Sequence, residues 1–199
     1  MADPFEPIIF NGDYCTLVPL TIEHHDDLCE AVKDGELWRL WYTLVPPPER
    51  MKETIASRLA VQESGSMLAF TIIDNRTQKP IGMTTYLNMD KVNRRVEIGY
   101  TWYAKSAQQT AINTECKLLL LTHAFESMNC IAVEFRTHAF NYQSRKGIER
   151  LGAKLDGILR NHMIMPNRTL RDTYVYSIIS SEWPTVKSHL EFLKIKYAK

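Results

Sequence analysis

The sequence lacks two features that would place a protein in a membrane or in an oxidising compartment: a long apolar run and closely spaced cysteines. Its four cysteines, Cys15, Cys29, Cys116 and Cys130, include no CxxC pair, which argues against a zinc site and a disulfide framework. No apolar run approaches the length that crosses a bilayer. The N-terminal stretch is acidic and interrupted by prolines, unlike a secretory signal. We therefore expect a cytoplasmic protein with no metal ion and no membrane partner.

The sequence also has little net charge. A formal net charge of +1 over 199 residues provides no general attraction to nucleic acid or to an acidic membrane surface. No basic stripe with interleaved aromatic residues is present, so nucleic acid is not an expected partner. No GK[ST] sequence is present, which excludes a nucleotide-hydrolysing phosphate loop. A chain of this length fits one domain, residues 1–199, and its hydrophobic content of 45% allows a sizeable core.

What the sequence does contain is a regular succession of strand-like and helix-like segments. In chain order the predicted segments are a strand "YCTLVPL", helices "IEHHDDLCEAVKDG" and "MKETIASRLAVQES", strands "MLAFTIID", "IGMTTYLNMD" and "RVEIGYTWY", a helix "ECKLLLLTHAFESMN", a strand "CIAVEFRTHAFN", a helix "YQSRKGIERLG", strands "AKLDGILRNHMIM" and "TYVYSII", and a closing helix "SEWPTVKSHLEFLKIKY". The helix between the fourth and fifth strands implies a crossover, and hence a parallel pair in an otherwise mostly antiparallel sheet. The pattern predicts an α+β fold, an α/β/α sandwich with a mixed central sheet.

In the fourth predicted strand, "RVEIGYTWY", side chains should alternate between the two faces of the sheet. One face would carry Val96, Ile98, Tyr100 and Trp102, and the other Glu97, Gly99, Thr101 and Tyr103. The polar segment "AQQTAINTE" follows this strand. By itself it is an ordinary entrance to a helix, although a helix N-terminus can also bind phosphate groups.

Four of these stretches together resemble the GCN5-related N-acetyltransferase (GNAT) superfamily, and more narrowly its RimJ/RimL-like branch. They are "EIGYTWY", "QQTAINTECKLLLL", "NYQSRKGIERLGAKLDGILR" and "LRDTYVYSI", and the aromatic segment "LWYTLVPPPE" is also similar. The resemblance extends over nearly the whole chain, from Ile8 to Leu193. It implies the GNAT fold, in which the parallel pair (the predicted fourth and fifth strands, β4/β5) splays apart. It also implies an acetyl-CoA-dependent N-acetyltransferase that acts on a primary amine, either a protein N-terminus or a small molecule.

The family's pyrophosphate loop has the form Q/R-x-x-G-x-G/A, which corresponds here to Gln108-x-x-Ala111-x-Asn113, without either glycine. Backbone N–H groups from Gln109 to Asn113 can still bind a diphosphate if the loop backbone stays in ordinary regions. The missing glycines leave an alternative open, namely a non-catalytic acyl-CoA-binding or interaction module on the same fold. The residues that the resemblance assigns to acetyl-CoA binding are Thr101, Trp102, Tyr103, Gln108, Gln109, Thr110, Ala111, Ile112, Asn113, Asn141 and Ser144.

The resemblance also suggests which group assists the departing thiolate. Many family members use a tyrosine as general acid, but the corresponding positions here are Ile148 and Glu149. In a RimL-like arrangement a serine three residues after the pantetheine-binding asparagine takes this role, and Ser144 follows Asn141 by three. A serine hydroxyl can hydrogen-bond the thiolate, although its own pKa makes it a weak acid. Alternatively, Asn141 or Ser144 caps the helix that follows.

Glu97 is the leading candidate for the base that takes a proton from the amine, through a water molecule, because its strand enters the site. Alternatively it is a paired or surface carboxylate. The glutamate that RimL-type enzymes carry on their sixth strand has no counterpart here, since that position lies near Met163. His138 and His162 are possible substitutes, because imidazole titrates near neutral pH.

The acceptor amine is expected to meet aromatic and basic side chains. Trp38, Trp41 and Tyr42 lie beside a triple proline and provide rigid aromatic surface, although most of them could instead pack in the core. Arg136 could pair with an acidic group on the acceptor, and His138 could contact it. The C-terminal helix is basic and could pack on a second copy of the chain, which would give a homodimer.

Overall fold

The computed structural model describes residues 4–197, and within them an eight-stranded mixed sheet is covered by helices. The strands are β1 (Phe10–Asn11), β2 (Cys15–Pro19), β3 (Met67–Asp74), β4 (Lys79–Asp90), β5 (Arg95–Tyr103), β6 (Ala132–His138), β7 (Lys154–Ile164) and β8 (Leu170–Ile179), in the spatial order β1-β2-β3-β4-β5-β6-β8-β7. The helices are α1 (His25–Lys33), α2 (Met51–Glu63), α3 (Ala111–Thr122), α4 (Tyr142–Arg150) and α5 (Trp183–Lys196). Each segment predicted from the sequence is present, which confirms the α+β sandwich.

The parallel pair lies where the sequence predicts it, but its two strands carry different numbers in the structure. A short strand that was not predicted, β1, pairs antiparallel with β2 and shifts the count by one. The pair predicted as β4/β5 is therefore β5/β6. These strands pair only from Arg95 with Ala132 to Glu97 with Glu134. Beyond that point β5 remains with β4 and β6 remains with β8, so the two parallel strands separate.

A bulge interrupts β5 just after the strands separate. Thr85 of β4 pairs with Gly99 and Met83 pairs with Trp102, so the register shifts by one residue at Tyr100. Tyr100 has a φ of 48°, in the left-handed region, and its side chain is 44% exposed. The predicted alternation of faces is thus wrong from Tyr100 onward, because a bulge turns the side chains that follow it.

Helices cover both faces of the sheet, as contacts from two residues of β4 show. Met83 Sδ accepts a hydrogen bond from Arg58 of α2. On the opposite face Tyr86 donates its hydroxyl to the Leu120 carbonyl of α3. Between the layers lies the core, whose largest fully buried side chains are Tyr86, Tyr176, Phe70, Leu17, Leu20, Leu28, Met51, Ile55, Ile72, Met83, Leu120 and Leu121. In the part of the chain that the structure describes, no helix is long and apolar enough to cross a membrane.

A buried carboxylate fixes the start of α3 against the turn before β2. Glu115 accepts hydrogen bonds from the backbone N–H groups of Asp13 (2.9 Å), Tyr14 (2.6 Å) and Cys15 (2.9 Å). These residues are about a hundred positions apart in the sequence. Since α3 begins beside the cavity described below, this contact helps to position one wall of the site.

Candidate active site

An open cavity of about 1000 Å³ lies where β5 and β6 separate. Its wall comes from these two strands, from the start of α3, from α4, from the β7–β8 pair and from residues 40 and 42–45 between α1 and α2. Most of the residues predicted from the sequence meet here. Those that line the cavity are Tyr42, Glu97, Thr101, Trp102, Tyr103, Gln108, Gln109, Thr110, Asn113, Arg136, His138, Asn141, Ser144 and His162.

Four of the predicted residues are not in the lining. Ala111 and Ile112 belong to the first turn of α3, and their side chains are buried in the protein rather than exposed to the cavity. Trp38 is partly buried and packs against the core, as the alternative interpretation had it. Trp41 is 46% exposed, and its ring lies 5.1 Å from the ring of His138, so it supports a lining residue from outside.

The loop before α3 differs from the expected backbone at one position. Gln109 has a φ of 59°, so the expectation that the loop stays in ordinary regions is wrong there. Ala111 and Asn113, which replace the family's glycines, lie inside α3, where a helical backbone requires no glycine. Thr110 caps the helix, because its Oγ1 accepts the N–H of Ile112 at 3.3 Å. The helix therefore begins at the cavity, with its positive end facing it.

From the sequence, Asn141 and Ser144 could either bind acetyl-CoA or cap the helix that follows, and their positions are compatible with both roles. Asn141 is the N-cap of α4, and its Oδ1 accepts the backbone N–H of Ser144 at 3.0 Å. Both residues also line the cavity. Because Ser144 takes part in the cap only through its backbone N–H, its hydroxyl is not needed for capping.

Glu97 is buried at the point where the strands separate. Its carboxylate accepts a hydrogen bond from Asn88 Nδ2 at 2.9 Å and lies 3.5 Å from Arg136 Nε. Burial raises the pKa of the Glu97 carboxyl, and the Arg136 guanidinium opposes that rise. A carboxylate with a raised pKa is better suited to accept a proton than an ordinary surface glutamate.

The hydrogen bond that His138 accepts determines which of its ring nitrogens carries the hydrogen. Its Nδ1 accepts the backbone N–H of Phe140 at 3.1 Å, so in the neutral ring the hydrogen is on Nε2. Burial and, to a smaller extent, Arg171 lower the pKa of His138, which favours this neutral form. A ring nitrogen that already carries a hydrogen cannot accept another proton, so this geometry argues against His138 as the base.

The lining residues that were not singled out from the sequence include Arg58, Tyr100, Lys117 and Arg171. Lys117 of α3 is buried and donates to Thr101 Oγ1 at 2.8 Å, and burial lowers its pKa. A charged residue inside the apolar stretch "ECKLLLL" is a signal that could have drawn attention to Lys117. For Arg58, in an ordinary amphipathic helix, the sequence offers no such signal.

Metal binding has no support in the geometry, since no group of three or more His, Cys, Asp or Glu side chains among residues 4–197 could hold a metal ion.

Solved structures place the fold in a known class. A crystal structure of a GCN5-related N-acetyltransferase from Brucella melitensis is similar with a TM-score of 0.84 and 27% sequence identity, covering 95% of this chain and 86% of that chain. The structure of RimL, the ribosomal L7/L12 alpha-N-protein acetyltransferase, in complex with coenzyme A has a TM-score of 0.73 and 16% identity, covering 86% of this chain and 98% of that chain. At the lower identity the likeness concerns the fold alone. Together with the separated strands, these matches define a protein of the GNAT fold class.

The sequence itself matches the family called Acetyltransferase (GNAT) domain over residues 15–154. The chain therefore belongs to this family of acetyltransferases. A relative named "Putative ribosomal N-acetyltransferase YdaF", from Bacillus subtilis (strain 168), is 35% identical over 102 residues, which are 51% of this chain and 55% of that protein. The match thus spans about half the length of that relative. The predicted family is confirmed, and ribosomal-protein acetyltransferases are among the relatives, as the resemblance implied.

Proposed function

We propose that the protein transfers the acetyl group of acetyl-CoA to a primary amine, of a protein N-terminus or of a small molecule. The observation that carries this proposal is the cavity between the separated strands β5 and β6, with the N-terminus of α3 on one side and the buried Glu97 on another. Family membership and the coenzyme A complex of RimL support the choice of cofactor. That so many residues assigned from the sequence meet in one cavity supports the placement of the site.

The residues present fit acetyl-CoA at its diphosphate and along its acetyl-pantetheine arm. Backbone N–H groups from Gln109 to Asn113, apart from that of Ile112, which donates to Thr110 Oγ1, lie at the positive end of α3 and suit the diphosphate. Asn141 and Ser144 suit the pantetheine arm and the sulfur atom. The backbone of Thr101, Trp102 and Tyr103, on the part of β5 that has no register with β6 in the described chain, suits the acetyl-pantetheine.

The chemistry asks for a neutral amine, a donor for the oxyanion and a route for the proton. The amine nitrogen attacks the thioester carbon, and the resulting oxyanion accepts a hydrogen bond from a backbone N–H of β5. Glu97 takes the amine proton, directly or through a water molecule. The carbon–sulfur bond then breaks, and the Ser144 hydroxyl hydrogen-bonds the thiolate that leaves. An α-amine, with a pKa of about 8, is more easily deprotonated to the neutral nucleophile than a lysine side chain, with a pKa of about 10.4.

The test is release of free thiol from acetyl-CoA in the presence of a panel of amines, which includes peptides with free N-termini, polyamines and amino acids. Thiol release that depends on the amine, with an acetylated product of matching mass, is the expected result. Stabilisation by acetyl-CoA without thiol release on any amine would instead support the non-catalytic acyl-CoA-binding module. Acetylation of peptides but not of small amines would assign the acceptor to the protein class.

A further inference from the structure

Arg58 of α2 is a buried cation whose charge has no carboxylate partner. Its side chain lines the cavity and is only 6% exposed. Its Nη1 donates to Met83 Sδ at 3.2 Å, and its guanidinium carbon lies 5.1 Å from the centre of the Tyr100 ring. No ion pair within 4.0 Å involves Arg58 in the described part of the chain. Burial lowers the pKa of Arg58 to about 10, yet it remains charged at neutral pH.

Arg171 of β8 is a second buried cation of the lining. It is 8% exposed, lines the cavity, and donates from Nε to Thr173 Oγ1 at 2.9 Å. Between residues 4 and 197 it too forms no ion pair within 4.0 Å. Both guanidinium groups interact electrostatically with Tyr100, and Arg171 interacts more strongly with the Glu97 carboxylate. Two buried cations of the lining therefore act on the residue at the bulge of β5.

His138 adds an uncharged donor to the same end of the cavity. Its side chain is 2% exposed, and its Nε2 has no hydrogen-bond partner among the described residues. The charge of Arg171 contributes to the lowered pKa of His138. A buried donor without an acceptor is costly, which suggests that an acceptor atom arrives with a ligand.

The charges of the lining are strongly unequal. Glu97 is the one carboxylate among the described lining residues, and it interacts with both Arg136 and Arg171. The cations of the lining are Arg58, Lys117, Arg136, Arg150 and Arg171. A buried guanidinium keeps its charge and is stabilised by an anion that forms hydrogen bonds with it. The cavity is therefore short of negative charge at this end.

The phosphates of acetyl-CoA do not account for this deficit. The proposed diphosphate loop is connected to Tyr103, whose carbonyl accepts from Gln108 Nε2 at 3.1 Å. Tyr100, whose ring centre lies 5.1 Å from the Arg58 guanidinium carbon, is three residues back along β5, which is about 10 Å at a strand rise of about 3.3 Å per residue. Glu97, the proposed base, lies three residues further in the same direction. The two cations are thus on the acceptor side of the site.

We propose that the acceptor amine carries an anionic group, a carboxylate or a phosphate, that binds Arg58 and Arg171 while its amine faces Glu97. This inference rests on the proposed acetyl transfer and specifies its substrate class. Nε2–H of His138 provides a further hydrogen bond to the same group or to an atom next to it. The class comprises amino acids and amino-phosphates, as opposed to polyamines and other amines without an anion.

The experiment compares matched acceptors that differ only in the anion. One pair is an amino acid and its amide, and the other is O-phosphoethanolamine and ethanolamine; each is tested for kcat/KM with acetyl-CoA. We expect the anionic member of at least one pair to be favoured by about tenfold or more. The carboxylate pair and the phosphate pair distinguish the two sources of the anion.

The variants are Arg58→Met, Arg171→Met and, as a matched control, Arg76→Met, whose side chain is exposed in the β3–β4 turn. Either of the first two should remove the preference for the anion, and Arg58→Lys should retain part of it, whereas Arg76→Met should leave it unchanged. Loss of an unpaired buried charge should not prevent folding, and a melting temperature for each variant checks this. Equal rates on both members of every pair, or an equal loss on both in Arg58→Met, would overturn the inference.

Two further measurements separate this inference from the proposed function. Thermal stabilisation by the anionic acceptors, lost in Arg58→Met, reports the anion site even if no amine is acetylated. Conversely, transfer to neutral amines alone would leave the proposed function intact and refute the anionic acceptor. A preference for succinyl-CoA over acetyl-CoA that requires Arg58 would assign the anion to the acyl donor and also overturn the inference.

Discussion

At the scale of single residues, the site depends on groups whose protonation is set by burial. Glu97 is the clearest case, because burial raises the pKa of its carboxyl, while Arg136, Asn88 and Arg171 partly restore its charged form. The sequence made Glu97 a candidate through its position on the strand entering the site. Its burial and its partners came from the fold, since Asn88 and Arg136 belong to two other strands.

The rate of acetyl transfer should depend on the protonation of Glu97. Because a base must be deprotonated, kcat/KM should increase with pH through a pKa above the usual value of about 4.3 for glutamate. Glu97→Gln should remove this inflection and lower the rate by about 10²- to 10⁴-fold. The measurement is a pH–rate profile for both proteins with one amine.

Stability provides the control for Glu97. The raised pKa means that the folded state holds the proton more tightly than the unfolded state, so the stability this group contributes is present at low pH. It is lost as pH increases through the pKa of the folded state. A glutamine does not titrate, so the melting temperature of Glu97→Gln, relative to that of the wild type, should increase as pH increases. If the pH–rate profile of Glu97→Gln keeps the inflection at low pH, the base is a group other than Glu97.

Ser144 and Asn141 allow a role in chemistry to be separated from a role in folding. Ser144→Ala should lower kcat by about tenfold or more and change the free energy of unfolding by less than about 0.5 kcal/mol, because the cap uses only its backbone N–H. Asn141→Ala removes the cap and should cost about 1 kcal/mol. Chemical denaturation and steady-state rates measure both quantities. A similar loss of stability in the two variants would refute the division of roles.

At the scale of elements, the bulge in β5 decides the shape of the site and could not be predicted from the sequence. The stretch "RVEIGYTWY" has the alternation of a regular strand, and a tyrosine rarely adopts a positive φ. The bulge depends on the neighbouring strand, where Gly82 lets the backbone of β5 approach closely. A Cβ at Gly82 would lie 2.1 Å from the carbonyl oxygen of Trp102.

Gly82→Ala should therefore force β4 and β5 apart. We expect the free energy of unfolding to fall by about 1–3 kcal/mol or more, because a backbone atom cannot move aside as a side chain can. Gly157→Ala in β7 is the matched control, since a Cβ there meets nothing within 4 Å. Urea denaturation of both variants measures the difference, and equal stabilities would contradict the close approach.

At the scale of the whole molecule, the order of elements could be predicted because hydrophobic periodicity and turn residues are local signals. The clustering of the remote residues Glu97, Gln108 and Ser144 was accessible only through the resemblance to a family. Arg58 and Arg171 were not accessible at all. Their meaning depends on their burial in the cavity wall without an ion pair within 4.0 Å among residues 4–197, and that is a property of the folded chain.

Distant parts of the chain are also tied together by Glu115. It binds three N–H groups before β2, and Lys194 of α5 lies 3.5 Å from Glu115 and 2.8 Å from Asp13. Glu115→Ala should leave buried N–H groups without partners and lower the free energy of unfolding by about 2–4 kcal/mol. The control is Glu191→Ala, at an exposed position of α5, which should change the free energy of unfolding by less than about 0.5 kcal/mol. Thermal and chemical unfolding measure both variants. An equal loss of stability in Glu115→Ala and Glu191→Ala would refute this structural role of Glu115.

The helical backbone at Ala111 and Asn113 has a consequence for how such loops are recognised in other sequences. A motif that demands glycine at these two positions describes one solution, in which the chain needs freedom there. Here the same positions already lie in α3, while the left-handed residue is Gln109, before the cap Thr110. A motif based on backbone conformation, with a capping threonine and small residues in the first helical turn, would retain chains of this kind. Relatives that lost both glycines then need not have lost the cofactor.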